Sequence, residues 1–174
     1  MNYVTADEHY FHNNIILPSY CDRPYKSERE MRQDQINKHN EVVSPEDDVY
    51  HLGDFVLCGS SQWEKVAGIV SKLNGRHHLI LGNHDNLKPF TYVKAGFTSV
   101  HTAFWIDIDG VRYVMAHDPS VYCMMPDNAV LLCGHVHTLF KTIEGKSILN
   151  VGVDVNDFYP ISFDQVIEMT REQE

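Results

Sequence analysis

The sequence predicts an α/β fold in which two packed, mixed β-sheets have helices on their outer faces. Strand and helix patterns alternate in the first half of the chain, and two hairpin patterns follow in the second half. Such a succession is typical of layered sheets covered by helices. The 174 residues contain no low-complexity tract, internal repeat or Pro-rich linker, so a single domain over residues 1–174 is expected.

Two candidate capping boxes mark the starts of helices in the first half. Ser27 with Glu30 opens a polar helix that runs toward Val43. Ser61 with Glu64 opens a second helix. The apolar residues of this second helix recur at helical spacing and indicate a core-facing stripe, not a cofactor site: Trp63, Val66, Val70 and Leu73.

Two hairpins and a terminal helix are predicted in the second half. Asp109-Gly110 separates the strand patterns of residues 100–108 and 111–116, and this dipeptide favours the positive dihedral angles of a two-residue turn. The second hairpin turns at Glu144-Gly145. The tail from Ser162 to Glu172 is predicted to form a short helix.

Five polar segments lie just after probable strands and contain the candidate site. They are Asp7-Glu8-His9, Gly53-Asp54, Gly82-Asn83-His84-Asp85, His117 and Gly134-His135-Val136-His137. In layered α/β folds, loops beyond the carboxyl ends of strands surround one crevice. Asp, Asn and His offer mixed oxygen and nitrogen ligands, which suit Zn²⁺, Mn²⁺, Fe or Ni²⁺ better than Ca²⁺. The sequence therefore predicts a transition-metal site, in which a shared carboxylate could hold two ions.

The ordered series D-x-H, G-D, G-N-H-D, H and G-H-x-H resembles the calcineurin-like metallophosphoesterases, in particular a small bacterial and phage branch that lacks a cap. The match spans residues 7 to 137 and extends to Asn150-Val151-Gly152-Val153-Asp154. The resemblance implies an α/β sandwich that hydrolyses phosphate esters at a dinuclear metal centre. Mn²⁺ is the first choice of metal, with Ni²⁺, Zn²⁺ and Fe as alternatives.

The resemblance also implies a role for each matched residue. Asp7, His9 and His137 would bind the first ion, Asn83, His117 and His135 would bind the second, and Asp54 would bridge the two. His84 would protonate the leaving oxygen or stabilise charge on the phosphoryl group, and Asp85 would orient it. The family mechanism implies attack on phosphorus by a hydroxide that bridges the ions.

Three positions near the motifs have open roles. His12 matches the pattern D-x-H-x-x-H-x-N-I of the small branch and is either a phosphate or leaving-group contact or a structural imidazole. Arg23 is a candidate phosphate clamp, since a guanidinium group matches phosphate oxygens, with a surface salt bridge as the alternative. Glu8 adds a carboxylate that is expected to repel an anionic substrate. His51 and His77 are expected to have no metal role.

Two features bear on the substrate. The second motif reads Gly53-Asp54-Phe55-Val56-Leu57-Cys58, without the second Asp and the Arg of the G-D-x-x-D-R-G pattern, so the substrate class of the protein phosphatases is not carried over. The 14 Lys and Arg against 24 Asp and Glu give a formal charge of −10, which disfavours extended nucleic-acid binding. A small phosphate ester or a nucleotide is the expected substrate.

The location is expected to be cytoplasmic. Four cysteines without C-x-x-C spacing fit a reducing compartment. A first strand beginning by Tyr3 leaves no room for a signal peptide, and no apolar run approaches the roughly 20 residues of a membrane span.

Three functions remain open, two of them enzymatic and one a binding role. A phosphodiesterase acting on a nucleotide or cyclic nucleotide is favoured slightly, because a cleft without a cap admits a diester. The alternatives are a phosphomonoesterase on a small metabolite and a metal-binding scaffold, similar to the retromer subunit that resembles this family. A metallo-β-lactamase-type nuclease is disfavoured because the motif H-x-H-x-D-H is missing.

Overall fold

Parallel strands joined by helices build the first of the two sheets. The structure is a computed structural model that describes residues 1–59, 61–126 and 128–171. Strands β1 (Asn2–Thr5), β2 (Asp48–His51), β3 (Arg76–Ile80) and β4 (Ser99–His101) alternate with helices α1 (Glu28–Val42), α2 (Trp63–Val70) and α3 (Pro89–Lys94). The four strands run parallel, so their carboxyl ends lie at one edge of the sheet.

The second sheet is assembled from two antiparallel hairpins and a central strand that pairs in parallel with one strand of each hairpin. Its strands are β5 (Phe104–Ile108), β6 (Val111–Met115), β7 (Ala129–Cys133), β8 (Thr142–Ile143) and β9 (Lys146–Asn150), followed by β10 (Ile161–Ser162) and helix α4 (Phe163–Arg171). The order in this sheet is β5-β6-β7-β9-β8, and β10 joins the first sheet to give β10-β1-β2-β3-β4. The described residues thus form two mixed five-stranded sheets flanked by helices, which confirms the predicted fold class.

The main core lies between the sheets. Val4 and Ile80 of the first sheet and Leu52, directly after β2, pack with residues of the second sheet and of α4, including Met115, Leu132, Leu149 and Val166. A second core lies under α2 and α3, where the stripe residues Val66, Val70 and Leu73 are buried and Trp63 is half-buried. The predicted core-facing stripe is therefore confirmed. All five residues of β7 are buried, as expected for a central parallel strand covered on both faces.

The two predicted capping boxes have different outcomes. Oγ of Ser27 accepts the backbone N–H of Glu30, which confirms the first helix start, although the Glu30 carboxylate accepts from Lys26 N–H. The second prediction is wrong, because α2 begins after Gln62 with no side-chain cap. The backbone N–H of Gln62 donates to Gly59 O, and this turn moves the cap position one residue past Ser61.

Both hairpin turns are confirmed. Asp109 and Gly110 have φ values of 51° and 83°, and Ile108 pairs with Val111 across them. The second hairpin turns between β8 and β9, where Gly145 has φ 70°.

The predicted terminal helix is also confirmed. It corresponds to α4, whose last described residue is Arg171; the predicted end at Glu172 lies outside the described residues. Among the described helices, none combines the length and the apolar character that crossing a bilayer requires.

Candidate metal centre

The carboxyl ends of the parallel strands of both sheets meet at one side of the molecule. An isolated bridge joins Ala6, just after β1, to Gly152, just after β9. The predicted ligands lie in the loops at this junction: Asp7 after β1, Asp54 after β2, Asn83 after β3, His117 after β6, and His135 and His137 after β7. Residues spread over most of the sequence are thereby brought together.

Five of the predicted ligands have a left-handed backbone conformation. Asp7, His9, Asp54, His135 and His137 have φ values of 61°, 53°, 54°, 73° and 47°. Asp and His tolerate this region better than β-branched residues, but each such residue still costs roughly 1–3 kcal/mol. Strained backbone concentrated at five predicted ligands is typical of a functional site that the surrounding structure stabilises.

Glycines allow these loops to approach one another. A Cβ atom on Gly82 would lie 2.4 Å from the backbone nitrogen and Oδ1 of Asp54. A Cβ atom on Gly134 would lie 2.6 Å from the Cβ of Ala6 and 2.7 Å from Oδ2 of Asp7. The glycines of the G-N-H-D and G-H-x-H motifs are therefore required by close packing around the carboxylates.

The first potential metal group contains Asp7, His9 and His137, whose ligand atoms lie within 4.8 Å of one another. Asp7 is buried and accepts the backbone N–H of His135, and burial raises the pKa of its carboxyl group to about 6. Nε2 of His9 is buried and makes no hydrogen bond within the described residues. Burial also lowers the pKa of His9, so the ring is neutral and its nitrogen can bind a cation. An unpartnered buried polar atom is costly, and a metal ion would satisfy it.

The second group brings three lone pairs together. Oδ1 of Asn83 lies 2.9 Å from Nε2 of His117 and 2.9 Å from Nδ1 of His135, and the two ring nitrogens are 3.2 Å apart. Nδ1 of His117 donates to Leu52 O at 2.8 Å, so Nε2 is the unprotonated nitrogen of the neutral ring. Separations near 3 Å are those of neighbouring ligands held about 2.0–2.1 Å from one ion. The arrangement fits a cation at the centre of these atoms.

Asp54 lies between the two groups. Its Oδ2 is 3.6 Å from Nε2 of His9 and 3.5 Å from Nε2 of His117. Its Oδ1 accepts the backbone N–H of His84 at 2.8 Å. Burial opposes ionisation of Asp54, but the adjacent His117 lowers the pKa of the carboxyl group to about 2. The carboxylate is therefore ionised and faces both potential cations.

His84 stands at the open side of the centre. Its side chain is 39% exposed, and its Nε2 lies 4.0 Å from Oδ2 of Asp54. The ring is 5.3 Å from that of His9 and 6.1 Å from that of His12. This position is close to both ligand groups and open to solvent, as a proton donor to a bound substrate requires.

Asp85 does not occupy the position expected of a residue that orients the His84 ring. Its carboxylate accepts the backbone N–H groups of Asp54, Gly82 and Phe55 at 2.8, 2.9 and 3.2 Å. These bonds join the Gly82 turn to the loop of Asp54. The predicted contact between Asp85 and the His84 ring is thus corrected. Asp85 instead accepts three backbone N–H groups and holds the backbone that carries His84 and Asp54.

His12 lies at the rim of the centre. Its Nδ1 is 3.4 Å from Nδ1 of His9, and its ring is half-buried beside Tyr20, with ring centroids 5.6 Å apart. Burial and the neighbouring His84 lower the pKa of His12. A neutral ring at this place can donate one hydrogen bond to a substrate oxygen.

Arg23 lies neither on the surface nor at the cleft, contrary to both predictions for it. It is 3% exposed, and its Nε and Nη2 both donate to the Asp154 carboxylate at 2.8 Å. The remaining hydrogen bonds go to Asp7 O, Glu8 O and the sulfur of Met31. Since the guanidinium is occupied by protein acceptors, it is not available as a phosphate clamp.

Asp154 ends the segment Asn150-Val151-Gly152-Val153-Asp154 that extends the family resemblance, and its side chain contacts a predicted ligand although no metal role was predicted for it. Its Oδ2 accepts Nδ1–H of His137 at 2.7 Å. Burial opposes the charged form of His137, but this hydrogen bond raises the pKa of its ring to about 10. The signal that could have indicated Asp154 is its place shortly after β9, since the predicted ligands also follow strands.

Glu8 was expected to repel an anionic substrate, but its carboxyl group is buried. It is 4% exposed, and its Oε1 lies 2.5 Å from Nδ1 of His51, whose Nε2 lies 3.0 Å from Nδ1 of His77. Burial raises the pKa of Glu8 to about 8 and lowers that of His51 to about 3. A neutral carboxyl group that donates to His51 agrees with both directions, so Glu8 adds no negative charge to the cleft.

Comparison with known proteins identifies the family. Residues 26–155 match the calcineurin-like phosphoesterase superfamily domain. An uncharacterised protein of Methanocaldococcus jannaschii is 30% identical over 173 residues, which cover 96% of this chain and 89% of the relative. The crystal structure of an Aquifex aeolicus protein of unknown function superposes with a TM-score of 0.74 at 26% identity, covering 97% of this chain and 98% of that one. The nuclease MPE of Pseudomonas putida has a TM-score of 0.49 and 19% identity, over 78% of this chain and 61% of the nuclease. The chain belongs to the calcineurin-like phosphoesterase superfamily.

Proposed function

We propose that this protein hydrolyses a phosphate ester at a centre of two divalent transition-metal ions. The position of Asp54 carries the proposal: one carboxylate oxygen lies 3.6 Å from His9 and 3.5 Å from His117, between two separate groups of ligand atoms. A carboxylate placed in this way can serve both ions. The family match supports phosphoester hydrolysis as the chemistry.

The ligand assignment follows the two groups. Asp7, His9 and His137 would hold one ion, and Asn83, His117 and His135 would hold the other. When bound, the ions polarise the phosphoryl oxygens and lower the pKa of an attacking water. Mn²⁺ is the first choice of metal on the family resemblance, and mixed Asp, Asn and His ligands are also compatible with Ni²⁺, Zn²⁺ and Fe.

The remaining residues act on charge and protons. Two divalent ions bring four positive charges and Asp7 and Asp54 remove two, so the centre attracts a phosphate although the chain has a formal charge of −10. His84 donates a proton to the leaving oxygen, since its ring is near Asp54 and 39% exposed. His12, at the rim, donates a hydrogen bond to a phosphoryl or leaving-group oxygen.

A phosphodiester such as a nucleotide or cyclic nucleotide is the proposed substrate class. Asn83 and His135 are exposed, so the centre opens directly to solvent and leaves room for a group on each side of phosphorus. The acidic surface favours a small substrate over a long nucleic acid. A cytoplasmic location belongs to the same proposal and is supported by the free thiols of all four cysteines.

The test compares bis-p-nitrophenyl phosphate with p-nitrophenyl phosphate after metal removal and reloading with Mn²⁺, Ni²⁺ or Zn²⁺. We expect metal-dependent turnover of both esters, with the diester hydrolysed faster. A faster monoester reaction would replace the diesterase by the phosphomonoesterase alternative. Two bound ions without turnover of either ester would favour the metal-binding scaffold.

A further inference from the structure

Arg23 and Asp154 form a buried ion pair behind the first ligand group. Their side chains are 1% and 2% exposed, and two parallel hydrogen bonds of 2.8 Å join them. Burying two charges carries a large desolvation cost, which excellent geometry and further hydrogen bonds must offset. A buried ion pair is weak evidence that its role is to stabilise the fold. Its other hydrogen bonds show which parts of the chain it holds in place.

The pair connects two distant segments that both supply ligands. Nη2 of Arg23 donates to Asp7 O at 2.6 Å, and Nη1 donates to Glu8 O at 3.1 Å, so the guanidinium holds the backbone between Asp7 and His9. Asp154 accepts Nδ1–H of His137 at 2.7 Å. All three potential ligands of the first group are thus tied to one guanidinium–carboxylate unit.

The contact from Asp154 also determines which nitrogen of His137 is free. Because Nδ1–H donates to the carboxylate, Nε2 is the nitrogen left to bind a cation. A carboxylate behind a metal-binding imidazole holds the ring in place and raises its basicity. The second group differs, because Nδ1 of His117 donates to a backbone carbonyl, that of Leu52.

We propose that Arg23 and Asp154 are positioning residues that set the cation affinity of the Asp7–His9–His137 group and leave the Asn83–His117–His135 group largely unchanged. The inference rests on the proposed two-metal centre. Loss of such an outer partner typically weakens metal affinity 10–100-fold.

The shape of the guanidinium is essential to this role. Nε and Nη2 both engage Asp154, while Nη1 and Nη2 reach two backbone carbonyls. A lysine ammonium carries the same charge but cannot present this planar fork. We call the Arg23–Asp154 ion pair the brace. Arg23→Lys separates the charge of this brace from its geometry.

The experiment is a Mn²⁺ titration of the apoprotein by calorimetry, with bound metal counted per chain, for the parent, Asp154→Asn and Arg23→Lys. The matched control is Asp107→Asn, which disrupts the exposed bidentate pair with Arg112 on the β5–β6 hairpin. We expect both brace variants to bind one ion as the parent does and the other 10–100-fold more weakly. The control should bind both ions unchanged.

Thermal unfolding of each apoprotein identifies a variant that fails to fold. If Asp154→Asn fails to fold, Arg23→Lys provides the same comparison, and a folded variant with parental affinity for both ions would overturn the inference. An equal loss of affinity for both ions would also overturn the inference, since the brace would then support the whole centre. If the parent protein binds no more than one ion, the proposed two-metal centre and the role of the brace are both contradicted. If the parent protein binds two ions but hydrolyses no ester, only the proposed enzymatic activity is contradicted.

Discussion

Oδ1 of Asn83 lies 2.9 Å from Nε2 of His117, although neither atom carries a proton when the imidazole is neutral. Nδ1–H of His117 is already engaged with Leu52 O. Two lone pairs at this distance repel each other unless a positive charge lies between them. Burial disfavours the imidazolium form, yet Asp54 raises the pKa of His117 to about 8, so at neutral pH a proton on Nε2 supplies that charge and donates to Asn83 Oδ1 where no metal ion is bound.

Replacement of Asp54 by Ala should remove both metal ions and abolish hydrolysis. The carboxylate lies 3.6 Å from His9 and 3.5 Å from His117, so its loss affects both ligand groups at once. We expect the affinity for each ion to fall by more than the roughly 10–100-fold typical of an outer partner. Metal counted per chain and initial rates measure this, with the exposed Asp107→Ala as control. Retention of one ion at parental affinity would contradict a bridging role.

Replacement of His84 by Ala should lower turnover while both ions remain. The His84 ring approaches Asp54 only to 4.0 Å and is 39% exposed, so it is assigned to proton donation and not to metal binding. Removal of a general acid typically costs 10²–10⁴-fold in rate. His101→Ala is the control, because the His101 ring bonds to Ser99 Oγ and packs on Phe104 rather than on a predicted ligand. Full activity of the His84 variant would rule out the proposed mechanism.

Replacement of Gly82 by Ala should disrupt the centre through packing alone. The new methyl group would lie 2.4 Å from the backbone nitrogen and Oδ1 of Asp54, and overpacking costs about 1–3 kcal/mol or more. Gly68→Ala is the matched control, because no atom lies within 4 Å of its added Cβ and it occupies helix α2, where the change should add about 0.5–1 kcal/mol of stability. Urea unfolding and metal content distinguish the two variants. Equal stability of the two would contradict the packing argument.

Acid should destabilise the fold partly through His39. Burial lowers the pKa of this ring to about 4, and the ring contacts Asn74 O at 2.8 Å. The folded pKa lies below the unfolded value of 6.5, so between pH 6.5 and 4 the unfolded chain binds a proton that the folded chain does not. Stability contributed by neutral His39 is complete above pH 6.5 and is lost as pH falls through this window, by about 1.4 kcal/mol per pH unit.

The comparison variant for this prediction is His39→Gln, which keeps a donor for Asn74 O without titrating. Urea unfolding at several pH values should give a shallower fall in stability for the variant between pH 6.5 and 4. The difference isolates His39, because the other buried groups titrate in both proteins. Identical slopes would show that the ring of His39 is not neutral in the fold.

Local patterns were sufficient for much of the architecture. Asp109-Gly110 predicted a turn because few residues adopt two successive positive φ angles, and the hairpin forms there. The start of α1 at Ser27 followed from one short-range hydrogen bond. The start of α2 was predicted at the wrong residue, because the hydrogen bond from Gln62 N–H to Gly59 O competes with capping by Ser61.

The candidate ligands were recognisable for a similar reason, since their residue types and their places after strands are properties of short segments. The structure brings them together, and their metal-binding roles stay predictions. Interactions among residues distant in sequence were not recognisable in this way. Asp85 looked like a partner of the adjacent His84 but accepts backbone N–H groups of Asp54 and Phe55 instead.

Arg23 shows why such partners could not be read from the chain. Its ion pair with Asp154 spans 131 positions, and an arginine in a polar loop has the same local pattern whether it faces solvent or the interior. Periodicity, capping and turn chemistry depend on neighbours a few residues apart and are written in the sequence directly. The burial of Arg23 depends on the meeting of β1 and β9 at one edge, which arises only when both sheets have packed.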